Sequence, residues 1–482
     1  MSLLPSSPAR VSSASPRRPL RRAPRRGGAV AARAASDARA SSDAPGRDGA
    51  SSSDDDARDD AKPRTPPRVV ILGGGIQGRA TAYYLSKRGI PSTIVERVSV
   101  AAAASGKAGG FLAGGWGDRV TEPLHAKSAA LHAALAEELA LETYRKIPTL
   151  SVAGGDGGGG SNSSNAAPPP VSWLDGDVRR AELMDDTTAQ VTPMELTTRL
   201  HEEAMKMEGA ETIYGEAESV ALEPVENDSD SDDAKDSGER RVVGVVVKKQ
   251  SSAAGVSDGE EETITLPCDV CVVAMGPWST RASAWFGVDV PMTGVKSVSL
   301  EFPASDAVKA EPAALFCAED RNGCHLEVYP RSTGEVYVCG CGGSEYVDEA
   351  RLMPGGDLDS AEKVWTDETR VEAASDSFGR LSRSVGGRGG GPAKTQSCMR
   401  PCPPDARPII GAVPGVRGAY MNCGHNCWGI LWAPISGKVV SELVADGKAA
   451  SADLTHFAPG RFMTAAQKRG RKMRDVNVGE QW

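Results

Sequence analysis

The run Arg68–Leu72 (RVVIL) passes directly into Gly73-Gly74-Gly75-Ile76-Gln77-Gly78, and no other stretch constrains the fold as much. The β-branched run predicts a strand. Apolar residues at Ile76, Ala80, Tyr84 and Leu85 predict a helix from Ile76 to about Arg88, which Gly89 ends. A second strand, Ser92–Val95, then finishes at Glu96. In this context Gly73 permits a tight turn, Gly75 lets a pyrophosphate approach the backbone, and Gly78 lets helix and strand pack closely. Ile76 and Gln77 open the helix, whose free N–H groups suit phosphates. Glu96, 18 residues beyond Gly78, stands where a carboxylate accepts ribose hydroxyls and repels a 2′-phosphate. With Arg97 beside it, this is a candidate dinucleotide site that disfavours NADP. The bland alternative is a glycine-rich turn with nothing bound.

After Glu96 comes a small-residue loop, Ala103–Ala113, containing Ser105, Gly106, Lys107, Ala108, Gly109 and Gly110. Here the chain resembles the D-amino-acid oxidase superfamily, which includes glycine oxidase and sarcosine oxidase. In that family such a loop runs beside the FAD pyrophosphate and under the flavin. Further matches follow in order. Gln190-Val191-Thr192-Pro193 precedes a helix (Met194–Met207) and a strand pair in which Val220 falls where the family places a backbone contact to adenine. Val270–Ala274 leads to Gly276 and Trp278, like the family's second FAD strand. Arg400-Pro401, Asp405 and Pro408–Gly411, then Gly424-His425 and Gly429-Ile430, resemble its closing segment around the flavin. The matches span about Arg68 to Phe457. The loop and the strand Glu327–Arg331 (EVYPR) are also similar to eukaryotic FAD-dependent oxidoreductases.

The resemblance implies an α/β fold: a discontinuous Rossmann-type FAD-binding domain (68–125, 186–285 and 395–457) and a second, α+β substrate domain (126–185 and 286–394) built on an antiparallel sheet. Alternating apolar residues over Lys296–Phe302 and Gly334–Cys339 suit such a sheet. It also implies FAD as cofactor and oxidation of a C–N bond, with a hydride passing from substrate carbon to flavin N5 and oxygen or another acceptor reoxidising the flavin. Arg400 matches the position that holds a substrate carboxylate in glycine-oxidase-like members, a task suited to a guanidinium fork. Cys398, in Cys-Met before Pro404-Asp405, matches the cysteine bonded covalently to flavin in sarcosine oxidase relatives; a small buried thiol is the plainer reading. Glu327 stands where some amino-acid oxidases carry a hydroxyl, and a carboxylate there favours a cationic or amide-bearing substrate. His425 and Trp428 shape the flavin wall, His425 as a base or as a hydrogen-bonded structural residue.

Composition bounds the remaining possibilities. The 482 residues suffice for two or three folding units, and the net charge of −9 argues against nucleic acid as a partner. No apolar run approaches the ~18 residues of a membrane span. Met1–Ser36 carries eight arginines and no acidic residue, the composition of an organellar transit peptide, plastid before mitochondrion; without it the net charge is −17. Residues 37–67 read as a linker and 458–482 as a basic tail. Gly154–Pro170, Glu226–Glu239, Ser251–Glu262 and Gly386–Gly391 read as surface loops. The ten cysteines lack the paired spacing of a zinc site, so no metal is expected. Three functions stay open: oxidation of an amine or amino acid, C–OH oxidation on the same fold, and a non-catalytic FAD-binding scaffold. Oligomeric state is left unassigned.

Overall fold

Val69–Leu72 is buried on both faces because all four residues are apolar. Val69 and Ile71 enter one core, Val70 and Leu72 another. The computed structural model describes residues 65–154, 168–226, 239–250, 262–387 and 391–462. The expected transit segment, nearly all of the linker, most of the four low-complexity patches and nearly all of the basic tail lie outside these residues.

The first sheet runs in the order Thr263–Pro267, Arg240–Lys249, Glu211–Pro224, Ser92–Glu96, Val69–Leu72, Val270–Val273, Ala419–Cys423, Ile409–Ala412. The strands from Glu211–Pro224 through Ala419–Cys423 pair in parallel, and antiparallel strands extend both sides. Val69–Leu72 lies between Ser92–Glu96 and Val270–Val273, so strand order reverses there and the Gly73–Gly78 turn opens over the switch point. Helices Ile76–Ser86, Pro193–Met205 and Gly429–Asp446 cover one face of the sheet. Gly437 lets helix Gly429–Asp446 cross Ile76–Ser86 closely: a Cβ there would lie 2.6 Å from the Ala80 carbonyl carbon.

The second sheet runs Glu345–Val347, Thr293–Phe302, Val336–Cys339, Glu327–Pro330, Ala314–Cys317, Thr149–Gly154, Val178–Asp185. Its pairs are antiparallel except Ala314–Cys317 with Thr149–Gly154, which is parallel. Helix Glu368–Leu381 covers its core, with Phe378 against Phe302.

Two segments depart from the expected partition. Lys394–Cys402, expected to open the last FAD-domain piece, pairs with Thr293–Phe302 over nine residues of the second sheet. Helix Glu122–Glu138, expected mostly in the substrate domain, buries Leu124 and Leu135 in the core around Ile76–Ser86 and Gly429–Asp446. In both cases long-range packing decides the location, and local pattern carries no information about it. Helix ends shift slightly: Ile76–Ser86 stops before Arg88, and the helix after Thr192 covers Pro193–Met205.

Candidate active site

The Gly73–Gly78 turn is tight enough that a Cβ on Gly78 would lie 2.1 Å from the Gly73 carbonyl oxygen. Gly73 itself adopts φ +107°. Glu96 closes the turn from the second strand: its carboxylate accepts the N–H of Gly74 at 2.6 Å and that of Val98 at 2.8 Å. Ser105 Oγ accepts the N–H of Ile76 at 2.9 Å, joining the small-residue loop to the helix start. Gln77 reaches over the helix to donate to the Gly429 carbonyl at 2.8 Å, and its Oε1 is buried with no partner.

These residues open onto a cavity of about 1270 Å³ between the two sheets. That exceeds the ~300–1,000 Å³ of an ordinary small-molecule pocket and gives room for a dinucleotide with a substrate. Gly73, Gly75, Ile76, Gln77, Glu96 and Arg97 line one end. Ser105, Ala108, Gly109, Gly110, Gly276 and Trp278 line its length, as do Gly424, Gly429 and Ile430. Gly78 and Gly106 are packed behind the wall. Lys107 is turned away, its Nζ donating to the Ser397 carbonyl at 3.1 Å. The Val220 side chain is buried in the core, and Ala217 on the same strand lines the cavity. Arg97 lines the cavity while donating to Glu216 at 3.0 Å and to the Asp359 carbonyl at 3.2 Å.

The small-residue loop is held by side chains of the second sheet. Arg331 donates to the carbonyls of Gly109 at 2.9 Å and Ala108 at 3.1 Å, and the Tyr337 hydroxyl to that of Lys107 at 2.8 Å. Protein packing itself requires Gly109, since a Cβ there would lie 2.3 Å from the Tyr329 ring. A place under the flavin, which the resemblance implies for this loop, is therefore not the only demand for glycine there.

At the far end the walls become aromatic. Phe111 stacks on Tyr329 with centroids 5.2 Å apart, and Trp116 packs on Phe111 and Phe316. Arg400 and Cys398 project into this end from Lys394–Cys402, two residues apart and hence on one face. Burial opposes the charge of Arg400, and Cys427, Cys402 and Glu327 outweigh it. Glu327 lines the same chamber and accepts from the Tyr329 hydroxyl; burial pushes its carboxyl up while Arg400 pulls it down. No ion pair or hydrogen bond joins Glu327 to Arg400. Burial also pushes the Cys398 thiol up, against Lys107 and Arg400.

His425 lines the cavity, and burial depresses its pKa to about 3. Its Nε2 is paired with Ser436 at 3.0 Å and its Nδ1 has no partner. This geometry matches the structural histidine; so weak a base holds no proton near neutral pH. Sequence reasoning missed His125, whose Nδ1 is 2.9 Å from the Ala113 carbonyl and whose ring packs on Trp428 and Trp432. It also missed the segment Leu358–Ala361, whose carbonyls take hydrogen bonds from Trp278 at 2.9 Å and Arg281 at 2.8 Å. Neither carries a local motif. Arg331 did, as the last residue of the EVYPR strand.

The residues present fit FAD. Glu96 keeps acceptor capacity for a ribose diol, and Gln77 presents an unpartnered oxygen. Gly276, at φ +56°, has nothing within 4 Å of where a Cβ would stand, so the backbone is open to a ring at that point. Among the described residues no cluster of His, Cys, Asp and Glu suits a metal ion, and no helix is long and apolar enough to cross a membrane.

The family model for FAD-dependent oxidoreductases of the DAO type matches residues 68–443. An oxidoreductase of Schizosaccharomyces pombe is 27% identical over 417 residues, covering 81% of this chain and 97% of its own. Glycine oxidase of Geobacillus kaustophilus is 25% identical over 409 residues, covering 82% and 97%. The crystal structure of a glycine oxidase from that organism superposes with a TM-score of 0.58 at 22% identity, covering 82% of this chain and 99% of that one. L-proline dehydrogenase from P. horikoshii gives 0.61 at 18%, covering 83% and 98%. Both structures share the fold. The chain belongs to the DAO family of FAD-dependent oxidoreductases.

Proposed function

We propose that this enzyme oxidises the C–N bond of an amine or amino acid, using FAD, within an organelle. The observation that carries the reading is Arg400 standing in an aromatic-walled chamber that is continuous with the dinucleotide half of the cavity. A guanidinium there offers a carboxylate two parallel hydrogen bonds. Phe111, Trp116 and Phe316 exclude water and bound the substrate's apolar part. When bound, FAD supplies the two-electron acceptor; the protein's part is to orient the substrate and set its charge. The relatives named for glycine and D-amino acids agree with this substrate class.

Glu96, the start of helix Ile76–Ser86 and Gly276 would hold the cofactor. Cys398, on the same strand face as Arg400, would be its covalent attachment point. The arginine-rich, acid-free Met1–Ser36 favours import into a plastid, or else a mitochondrion, which a fluorescent fusion would locate.

Turnover with glycine, D-alanine, L-proline and iminodiacetate, using a dye as electron acceptor and trapping the carbonyl product with a hydrazine, tests the reading. A carbonyl from at least one amine is expected. Dye reduction by 2-hydroxy acids and by none of the amines would favour C–OH oxidation instead.

A further inference from the structure

Hydride loss from the carbon beside nitrogen needs the nitrogen lone pair, because that pair forms the C=N bond; an ammonium has none to give. Amino acids are ammonium ions near neutral pH, so something must take a proton. We propose that Glu327 is that acceptor: Arg400 and Glu327 together bind an amino acid as a zwitterion, and the Glu327 carboxylate then removes the ammonium proton. The inference rests on the amine reading above. One N–H bond breaks, one carboxyl O–H bond forms, and the electron pair stays on nitrogen.

The geometry supports a zwitterion site. Arg400 and Glu327 line the same chamber, and each feels the other's charge without contact between them. A gap between fixed opposite charges is what a zwitterion fills. The two oxygens of Glu327 are unequal: the Tyr329 hydroxyl and the more distant Cys339 thiol, at 3.8 Å, both sit on Oε2. Among the described residues Oε1 has no hydrogen bond. Tyr329 therefore acts as a positioning residue, fixing one oxygen and presenting the other.

Of the five other carboxylates on the wall four are engaged elsewhere, and the fifth, Glu319, lies two residues beyond the strand Ala314–Cys317. Glu96 and Asp118 accept backbone N–H groups, Glu216 is paired with Arg281, and Asp359 with Lys363. The groups facing Glu327 are Tyr329 on its own strand, Cys339 and Cys341 on or just beyond the neighbouring strand, Cys317 on the other side, His325 before it, and Arg400 with Cys427 opposite. Burial holds the tyrosine and the thiols neutral, so Arg400 supplies the dominant charge. Burial also strengthens Glu327 as a base, in the direction an acceptor for ammonium needs.

The test uses the FAD-loaded full chain, anaerobic, with glycine, D-alanine, L-proline and iminodiacetate, following flavin bleaching from pH 6 to 10 in wild type, Glu327→Gln and Tyr329→Phe. Wild type is expected to bleach with little pH dependence. Glu327→Gln should depend on free amine alone, its rate falling about tenfold per pH unit below the substrate's amine pKa. Tyr329→Phe, which loses the hydrogen bond that lowers the Glu327 carboxyl, should stay flat at high pH and lose rate toward pH 6, an acid-side fall absent from wild type. A second readout needs no turnover: on dithionite-reduced protein in weak buffer, with a pH dye, wild type should bind glycine without proton release and Glu327→Gln should release one proton per site. If Glu327→Gln loses its flavin, Glu327→Asp replaces it, and it should keep the flat profile at a lower rate. Parallel profiles and equal proton release in wild type and Glu327→Gln would overturn the inference and leave the amine reading intact. If no amine bleaches wild-type flavin, the amine reading falls, and this inference with it.

Discussion

The carboxylate of Glu96 accepts the N–H of Gly74 at 2.6 Å, across 22 residues of sequence, and so ties the end of the second strand to the turn that opens the cofactor cavity. Removing it leaves a partly buried N–H unpaired and, on the proposed reading, takes away the acceptor for the ribose diol. Glu96→Ala should weaken FAD binding by about 10- to 100-fold, near 1–3 kcal/mol, in a fluorescence titration of the apoprotein. Unchanged affinity would mean the adenosine lies elsewhere.

Gly78 and Gly276 are both glycines of the cavity region, yet their substitutions should differ. Gly78→Ala places a methyl 2.1 Å from the Gly73 oxygen and should cost about 3 kcal/mol or more, visible as a lower melting temperature. Gly276→Ala meets open space at φ +56°, so about 1–2 kcal/mol of backbone strain is expected. Its main effect should be weaker FAD binding, because the methyl would enter the volume proposed for the cofactor.

Arg400→Lys keeps the charge but loses the fork. For carboxylate-bearing amines kcat/KM should fall by roughly 2–5 kcal/mol of binding, with the flavin spectrum retained. An amine without a carboxylate should be much less affected. Equal losses for both would remove Arg400 from substrate binding.

Cys398 is tested by acid precipitation. A covalent flavin stays yellow in the wild-type pellet and moves to the supernatant in Cys398→Ala. Free flavin from wild type would rule out the bond.

Buried histidines make stability depend on pH, His132 and His425 most strongly. Burial depresses His132 to about 4 and His425 to about 3, from 6.5. Above pH 6.5 neither is charged in either state, so nothing is lost. As pH falls below 6.5 the unfolded chain takes up protons that the folded chain cannot, and each histidine costs up to about 1.4 kcal/mol per pH unit. Melting temperature should therefore drop between pH 6 and 4, and His132→Gln should flatten the drop. An unchanged slope would show that His132 is not held neutral.

The dinucleotide half was legible because its chemistry is local: turn, helix start and terminal carboxylate lie between Gly73 and Glu96. The loop Ser105–Gly110 and the pair Cys398 and Arg400 were legible only through family resemblance. What stayed hidden depends on contacts between distant segments. The placement of Lys394–Cys402 follows from pairing with Thr293–Phe302, about a hundred residues earlier. The bulge between Ala217 and Ser219 leaves no mark in the sequence. Arg331 and Tyr337 bond to backbone carbonyls of Lys107–Gly109 more than two hundred residues away, and backbone acceptors have no residue type to recognise.

Anaerobic titration of the purified, flavin-bearing protein with glycine, D-alanine, L-proline and iminodiacetate, watched at the visible flavin bands, tests the central claim most directly. Bleaching by at least one amine, abolished or strongly slowed in Arg400→Lys, is the predicted result. Flavin that dithionite bleaches but that no amine touches would contradict it.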